Sequence, residues 1–162
     1  MSALQIRPAR LDDAAAACTV LRRSITELCA ADHNNDPAWL AGWLANKTPE
    51  NVAAWITDPD NVVYVAIEDE RVAGVAAMGR DGRVSLNYVS PDARFRGVSK
   101  ALLAALERKA VEWGHAECRL ESTQTALPFY RAAGYREQQG CAAASCVPAE
   151  AASCRPMVKS LA

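Results

Sequence analysis

The hydrophobic pattern changes its period at Asn61, and this change constrains the fold more than any other feature of the sequence. Three apolar runs of strand length follow, VVYVAIE, VAGVAAMG and VSLNYVS, separated by the short polar stretches DER and RDGR. Asp81 and Gly82 in the second polar stretch are the residue pair that favours a tight hairpin. The sequence therefore predicts three successive antiparallel strands, which need helices to cover their apolar faces.

Helical spacing precedes these strands. A first helix is predicted from apolar residues at intervals of three and four, namely Ala14, Cys18, Leu21, Ile25 and Leu28. It follows a short strand around residues 4–6, with Asp12 as the expected N-cap. Two further helices are predicted, one over residues 39–46 and one that starts after Thr48, where Pro49 suits the first helical position.

The second half of the chain alternates helix and strand. A long helix is predicted from Val98 to Trp113, then a strand over AECRLES, a brief helix ended by Gly134, and strands over 135–138 and 154–159. Residues 140–154 are expected to form a loop. This order predicts a single α+β domain over residues 1–162, with one mixed, mostly antiparallel sheet and helices on both faces.

Composition excludes several classes of function. The net charge is −1 and there is no long run of like charges, so neither nucleic acid nor an anionic membrane is expected as a partner. Charges at positions 7, 10, 12 and 13 interrupt the first segment, which argues against a secretory signal. No run of about 18 apolar residues predicts a membrane span. We therefore expect a cytoplasmic protein.

The cysteines support the same compartment. They lie at positions 18, 29, 118, 141, 146 and 154, and none forms a Cys-x-x-Cys pair. We interpret them as free thiols and expect no metal. The alternative joins Cys29 and His33 to Cys141, Cys146 and Cys154 in a metal site, although these ligands are irregularly spaced.

The basic stretch PDARFRGVSKALL, residues 91–103, joins the third of these strands to the long helix. The start of a helix presents unpaired N–H groups and the positive end of the helix dipole, which bind phosphate. Gly97 allows close approach of a ligand, while Arg94, Arg96 and Lys100 add positive charge. The residues alone leave two interpretations open: an anion site, or a solvated turn in which Ser99 caps the helix.

Two motifs resemble one family. YVSPDARFRGVSKALL resembles the coenzyme A signature of the GNAT superfamily of acyl-CoA-dependent N-acyltransferases, Arg/Gln-x-x-Gly-x-Gly/Ala after the fourth strand. Arg94 and Gly97 match, Ser99 stands at the last small position, and Phe95 replaces the glycine that often follows the arginine. STQTALPFYRAAGY resembles the later Asn-x-x-Ala-x-x-Phe-Tyr motif of the family, with Thr123 in place of Asn.

The resemblance implies a GNAT-like α/β sandwich that binds acetyl-CoA between its fourth and fifth strands. The residues implied to bind this co-substrate are Tyr88, Val89, Arg94, Arg96, Gly97, Val98, Ser99, Lys100, Thr123 and Phe129. Tyr130 is at the position that assists departure of the thiolate in the family. The implied reaction is acetyl transfer to a primary amine by direct attack, with no covalent enzyme intermediate.

The base and the acceptor are left open. Glu27 and Glu121 are candidate bases, as are Asp32, His33 and Asp36, and a water chain to bulk solvent is another alternative. The expected acceptor is a small-molecule amine or an amino acid, and a homodimer is left open. The alternatives are a protein or peptide acetyltransferase and a GNAT-like domain that binds coenzyme A for regulation or interaction without turnover.

Overall fold

The computed structural model describes residues 3–138 and 155–161. Within these residues seven strands form one sheet in the order β1-β2-β3-β4-β5-β7-β6. The strands are β1 (Gln5–Pro8), β2 (Asn61–Glu68), β3 (Arg71–Gly79), β4 (Arg83–Val89), β5 (Glu117–Ser122), β6 (Arg136–Glu137) and β7 (Arg155–Ser160). Every neighbouring pair is antiparallel except β4 and β5, which are parallel. The predicted mixed, mostly antiparallel sheet is confirmed.

The helices lie on both faces of the sheet. They are α1 (Ala14–Leu28), α2 (Ala30–His33), α3 (Pro37–Leu44), α4 (Pro49–Thr57), α5 (Val98–Glu112) and α6 (Leu127–Ala132). On one face, α1 and α4 pack on strand residues such as Val65 and Val75. On the other, α5 and α6 cover Ala76, Met78 and Leu120. Helices thus cover the meander β2-β3-β4 on both sides.

The start of α1 corrects the prediction that Asp12 is the N-cap. A 3-10 turn at Leu11–Asp13 precedes the helix, and Asp13 is the N-cap residue. The Asp13 carboxylate accepts the Arg10 N–H at 2.7 Å and pairs with Arg7 at 2.8 Å. The Asp13 side chain makes no cap hydrogen bond to α1; its carboxylate instead stabilises the 3-10 turn that sets where the helix begins.

The connection after α1 also differs from the prediction. It contains the short helix α2, and α3 covers Pro37–Leu44 instead of residues 39–46. The Asp36 carboxylate accepts the N–H groups of Ala38 and Trp39, so the cap and Pro37 start the helix earlier than its apolar spacing indicated. The whole of the predicted 140–154 loop, with Cys141, Cys146 and Cys154, lies outside the described residues.

The other three cysteines, Cys18, Cys29 and Cys118, are buried free thiols. In the two described segments, no helix combines the length and apolar character needed to cross a membrane.

Candidate active site

The sheet opens between β4 and β5. These strands pair only at Arg83 with Arg119 and at Val84 with Leu120, and the β3–β4 ladder has a bulge next to this point. Beyond the bulge β4 bends away from β5, as a bulged strand does. A cavity of about 540 Å³ lies at the divergence, between the last residues of α1, the start of α5 and the start of α6.

Backbone groups of β4 line one wall of this cavity. The Ser90 N–H donates to the Ala73 carbonyl at 2.7 Å, and Tyr88 pairs with Val75 in the same register. Because hydrogen bonding alternates along an antiparallel pair, Asn87 and Val89 direct their N–H and C=O groups away from β3. The edge of β4 therefore offers unpaired backbone donors and acceptors to a ligand in the cleft.

The start of α5 forms the rim of the cavity. Gly97 is the N-cap residue with φ +78°, and the N–H groups of Val98, Ser99 and Lys100 belong to the first helical turn. A Cβ built on Gly97 meets no atom within 4 Å, so the space in front of the helix end is open to a ligand. Donor groups and the helix dipole together suit an anion, and a diphosphate fits these residues.

The three residues before Gly97 point in different directions. The Arg96 side chain pairs with Glu68 at 2.8 Å and does not line the cavity. The Arg94 guanidinium lies 4.6 Å from the centre of the Phe95 ring, and both residues line the cavity. Arg94 is therefore placed to contact a ligand with its side chain, whereas Arg96 is directed toward the end of β2.

Tyr130 lies at the inner end of the cavity. The ring is buried and makes edge contacts with Phe129 and Tyr135, at centroid distances of 5.1 and 5.7 Å. Burial raises the pKa of Tyr130 to about 12, while the neighbouring Asn87 amide acts to lower that pKa. The hydroxyl therefore keeps its proton throughout the physiological range.

Asn87 is a site residue that the sequence analysis missed. It lines the cavity, and its buried side-chain nitrogen and oxygen have no regular hydrogen-bond partner in the described part of the chain. Its influence on the pKa of Tyr130 shows that the two side chains are neighbours across the cleft. A buried amide without partners is costly for folding, which makes it a candidate for a role in binding or catalysis.

The two predicted carboxylate bases have different surroundings. Glu121 lines the cavity, its side chain is 5% exposed, and it pairs with Arg83 at 3.2 Å. Glu27 is 46% exposed, pairs with Arg23 at 3.0 Å, and lies outside the cavity lining. Of the two carboxylates, only Glu121 lines the cavity.

The three other acidic or basic candidates are engaged in local structure. The Asp32 carboxylate accepts hydrogen bonds from the Thr125 N–H and hydroxyl, at 3.1 and 2.5 Å. His33 is buried, with Nε2 3.1 Å from the Ile25 carbonyl and Nδ1 accepting the Asn35 N–H at 3.0 Å. Asp36 caps α3. Asp32 thus fixes the loop between β5 and α6 to the end of α1 and α2.

Most of the predicted site residues meet at this one cavity. Those that line it are Tyr88, Val89, Arg94, Gly97, Val98, Ser99, Lys100, Glu121, Thr123, Phe129 and Tyr130, while Arg96 and Glu27 do not. The Thr123 hydroxyl accepts the Ala126 N–H at 3.3 Å and so helps to begin α6. The described residues contain no group of three or more His, Cys, Asp or Glu that could hold a metal ion.

Comparison with known proteins identifies the class to which this fold and cleft belong, the acyltransferases. The sequence pattern described as the acetyltransferase (GNAT) domain matches residues 29–144. The chain therefore belongs to the GNAT family of acetyltransferases. No curated protein matches the sequence.

Solved structures share the whole architecture. A GCN5-related N-acetyltransferase from Rhodopseudomonas palustris is 25% identical with a TM-score of 0.85, and the match covers 99% of this chain and 97% of that one. The PaiA N-acetyltransferase of Thermoplasma acidophilum, solved in complex with coenzyme A, is 18% identical with a TM-score of 0.78 and coverages of 98% and 99%. An aminoglycoside 6′-acetyltransferase of type Ii is 15% identical with a TM-score of 0.70 and coverages of 98% and 97%. At a sequence identity of 18% or 15%, the PaiA and aminoglycoside acetyltransferase structures show a common fold alone.

Proposed function

We propose that this chain transfers the acetyl group of acetyl-CoA to the primary amine of a small molecule or amino acid. The observation that carries the proposal is the cavity at the divergence of β4 and β5, with the start of α5 at its rim and the Tyr130 hydroxyl at its inner end. A diphosphate at the rim and a thioester near Tyr130 would place the pantetheine arm along the open edge of β4. The coenzyme A complex of PaiA, a relative in fold, supports this assignment.

The rim holds the diphosphate in this proposal. The N–H groups of Val98, Ser99 and Lys100 donate to its oxygens, and Gly97 leaves the space that the phosphates need. The Arg94 side chain adds charge at the same rim. Because the helix dipole alone contributes only about 0.3–1 kcal/mol, several N–H groups and a cation are required together for useful affinity.

The edge of β4 holds the acyl group. The Val89 N–H points into the cleft and donates to the thioester carbonyl, where negative charge develops when the amine attacks. The amine nitrogen bonds to the carbonyl carbon, and the C–S bond then breaks to release the thiolate. The nitrogen loses its surplus proton to solvent, and the thiolate, whose thiol has a reference pKa of about 8.5, takes up a proton from solvent. No covalent bond to the protein is formed.

Tyr130 stabilises the leaving thiolate by donating a hydrogen bond. Its pKa of about 12 lies well above the reference thiol pKa of about 8.5, so complete transfer of its proton to sulfur is unfavourable. A hydrogen bond that strengthens as charge moves to sulfur still lowers the barrier. The neighbouring Asn87 amide adds a polar donor and a polar acceptor at the same end of the cleft.

Glu121 takes the proton of the attacking ammonium. It is the carboxylate in the described cavity lining, and its ion pair with Arg83 holds it at the wall formed by β5. A carboxylate there attracts a cationic amine and removes its proton, directly or through one water. We prefer Glu121 to Glu27 because Glu27 is exposed and lies outside the cavity.

The volume of the cavity favours a small acceptor. About 540 Å³ must hold both the pantetheine arm and the acceptor, whereas cavities for one small ligand alone take roughly 300–1,000 Å³. The acceptor half is bounded by Ser24, Leu28 and Cys29 at the end of α1. The buried free thiols Cys18, Cys29 and Cys118 support a reducing compartment, and we infer a cytoplasmic enzyme.

Turnover with a panel of amines tests the proposal. Pure protein and acetyl-CoA are incubated with small diamines, free amino acids, an aminoglycoside and peptides with free N-termini, and the released thiol is measured together with the mass of each acetylated product. We expect equal amounts of thiol and acetylated small amine. Acetylation of peptides alone would contradict the acceptor class, and tight binding of acetyl-CoA without turnover of any amine would support the binding-domain alternative.

A further inference from the structure

Phe95 has a backbone and a side chain that the fold itself does not require. Its φ is +63°, in the left-handed region that is unfavourable for residues with a Cβ. In the described residues, the other positions of this kind that are not glycine are Asn, Asp and Glu in turns. The ring is 91% exposed, more than any other large apolar side chain that the structure describes as exposed. Glycine would remove both penalties, and Asn or Asp would reduce both.

The position of Phe95 relates it to the outer end of the proposed co-substrate. Acetyl-CoA carries its thioester at one end and its adenosine at the other, with the diphosphate between them. If the diphosphate lies at the start of α5 and the thioester at Tyr130, the adenosine must lie outside the rim. Phe95 is two residues before Gly97 and lines the cavity at this outer side.

Arg94 holds the ring and makes its surroundings cationic. The guanidinium lies 4.6 Å from the ring centre, the distance of a cation–π contact. Lys100 lines the same rim, is exposed and adds positive charge there. Positive charge around one exposed ring favours binding of a planar base that carries phosphates. It disfavours contact with an apolar protein surface, which would have to bury that charge.

We propose that the Phe95 ring, supported by the Arg94 guanidinium, is the surface on which the adenine base of acetyl-CoA stacks. This inference rests on the proposed function, because it needs the diphosphate at the start of α5. Adenine is the only aromatic group of acetyl-CoA, and an aromatic ring binds a base through its face. Phe95 would thus be a binding residue that discriminates between complete acetyl-CoA and thioesters that lack the adenosine.

Calorimetric titration with two ligands tests the inference. Acetyl-CoA has the adenine base, and S-acetyl-4′-phosphopantetheine lacks it. We expect Phe95→Ala to raise the Kd of acetyl-CoA about 5- to 150-fold, the range for loss of one stacked base, and to leave the Kd of the phosphopantetheine thioester unchanged. Phe95→Tyr should retain the wild-type Kd, because it keeps the aromatic face.

Val111→Ala provides the matched control. Val111 is another exposed apolar residue, 55% exposed near the far end of α5, and its replacement should leave both Kd values unchanged. Sedimentation of the Phe95→Ala protein measures its oligomeric state in parallel. An altered oligomeric state with an unchanged Kd for acetyl-CoA would assign the ring to a contact between copies and overturn the inference.

The outcomes separate this inference from the proposed function. If the wild-type protein binds neither ligand, the proposed function fails and the inference fails with it. If the wild-type protein binds acetyl-CoA and Phe95→Ala binds it equally well, the inference alone fails. Equal weakening of both ligands by Phe95→Ala also overturns it, because a general distortion of the rim then explains the loss.

Discussion

Replacing Tyr130 by phenylalanine removes one hydroxyl and keeps the buried ring. The edge contacts with Phe129 and Tyr135 involve the rings and are retained. The hydroxyl lies next to Asn87, whose own polar atoms have no regular partner in the described residues. We therefore expect a small change in stability, within about 1 kcal/mol, and a much larger change in rate.

The size of the rate effect follows from the role of the hydroxyl. A hydrogen bond to a charged group contributes about 1.5–3 kcal/mol, and each 1.36 kcal/mol is tenfold in rate. Because Tyr130 donates a hydrogen bond without losing its proton, Tyr130→Phe should lower kcat about 10- to 150-fold. The KM for acetyl-CoA should stay within about twofold, since the bond forms only as charge reaches sulfur.

The assay is steady-state thiol release between pH 6 and 10, with Tyr135→Phe as the matched control. Tyr135 is a buried neighbour whose hydroxyl donates to Glu107 at 3.1 Å and does not line the cavity. Because this hydrogen bond is to a carboxylate, replacing Tyr135 by phenylalanine should cost about 1.5–3 kcal/mol of stability and leave kcat unchanged. The wild-type rate should show no alkaline decline from Tyr130, because its pKa is about 12.

Stability at high pH gives a second readout on Tyr130. In the folded protein the pKa of Tyr130 is about 12, above the unfolded value of 10.0. The protonated hydroxyl therefore contributes to the free energy of unfolding below pH 10, and this contribution is lost as the pH rises toward 12. The free energy of unfolding of the wild-type protein should fall by about 3 kcal/mol over this range through Tyr130, and the Tyr130→Phe protein should not show this fall. An unchanged kcat in Tyr130→Phe would refute the proposed role of the hydroxyl. An equal decrease of kcat in Tyr130→Phe and Tyr135→Phe would refute it too.

The other predictions concern the rim, the amide and the base. Gly97→Ala should weaken acetyl-CoA binding at least tenfold in calorimetry. Gly114→Ala is the control, because Gly114 also has a positive φ and open space for a Cβ but lies at the far end of α5, and it should leave binding unchanged. Asn87→Leu removes buried polar atoms that have no regular partner, so it should raise the melting temperature or leave it unchanged. It should also lower kcat. A lower melting temperature with a normal kcat would contradict a role of Asn87 in the reaction. Glu121→Gln should lower the rate at pH 7 about 100-fold and less at pH 10, where the free amine is abundant. Glu117→Gln on the same strand is the control. An equal effect of Glu121→Gln on the rate at both pH values would exclude Glu121 as the general base.

The sequence allowed much of the fold to be predicted because its patterns are local. The three apolar runs and the Asp81-Gly82 turn predicted the meander, and residues at helical spacing predicted α1 and α5. The boundaries that failed depend on single polar contacts. The Asp36 carboxylate caps α3 and starts it early, whereas the Asp13 carboxylate stabilises the 3-10 turn that precedes α1 and so moves the helix start by one residue.

Contacts between distant segments could not be predicted. Asp32 and Thr125 are 93 residues apart, and nothing near either residue indicates their hydrogen bonds. The ion pair between the Arg96 side chain and Glu68 on β2 likewise joins two segments whose local patterns do not indicate it. Asn87 looked like one polar residue on a strand, and its importance comes from its position opposite Tyr130.

Binding of acetyl-CoA tests the central claim most directly. Pure protein is heated with increasing acetyl-CoA, and its melting temperature is compared with that in the same buffer with free acetate. At a ligand concentration 100-fold above Kd, binding adds about 2.7 kcal/mol, which for a chain of this size raises the melting temperature by about 5–10 °C. We predict that rise for the wild-type chain and a smaller one for Gly97→Ala. No rise at millimolar acetyl-CoA would contradict the account of the cavity as a coenzyme A site.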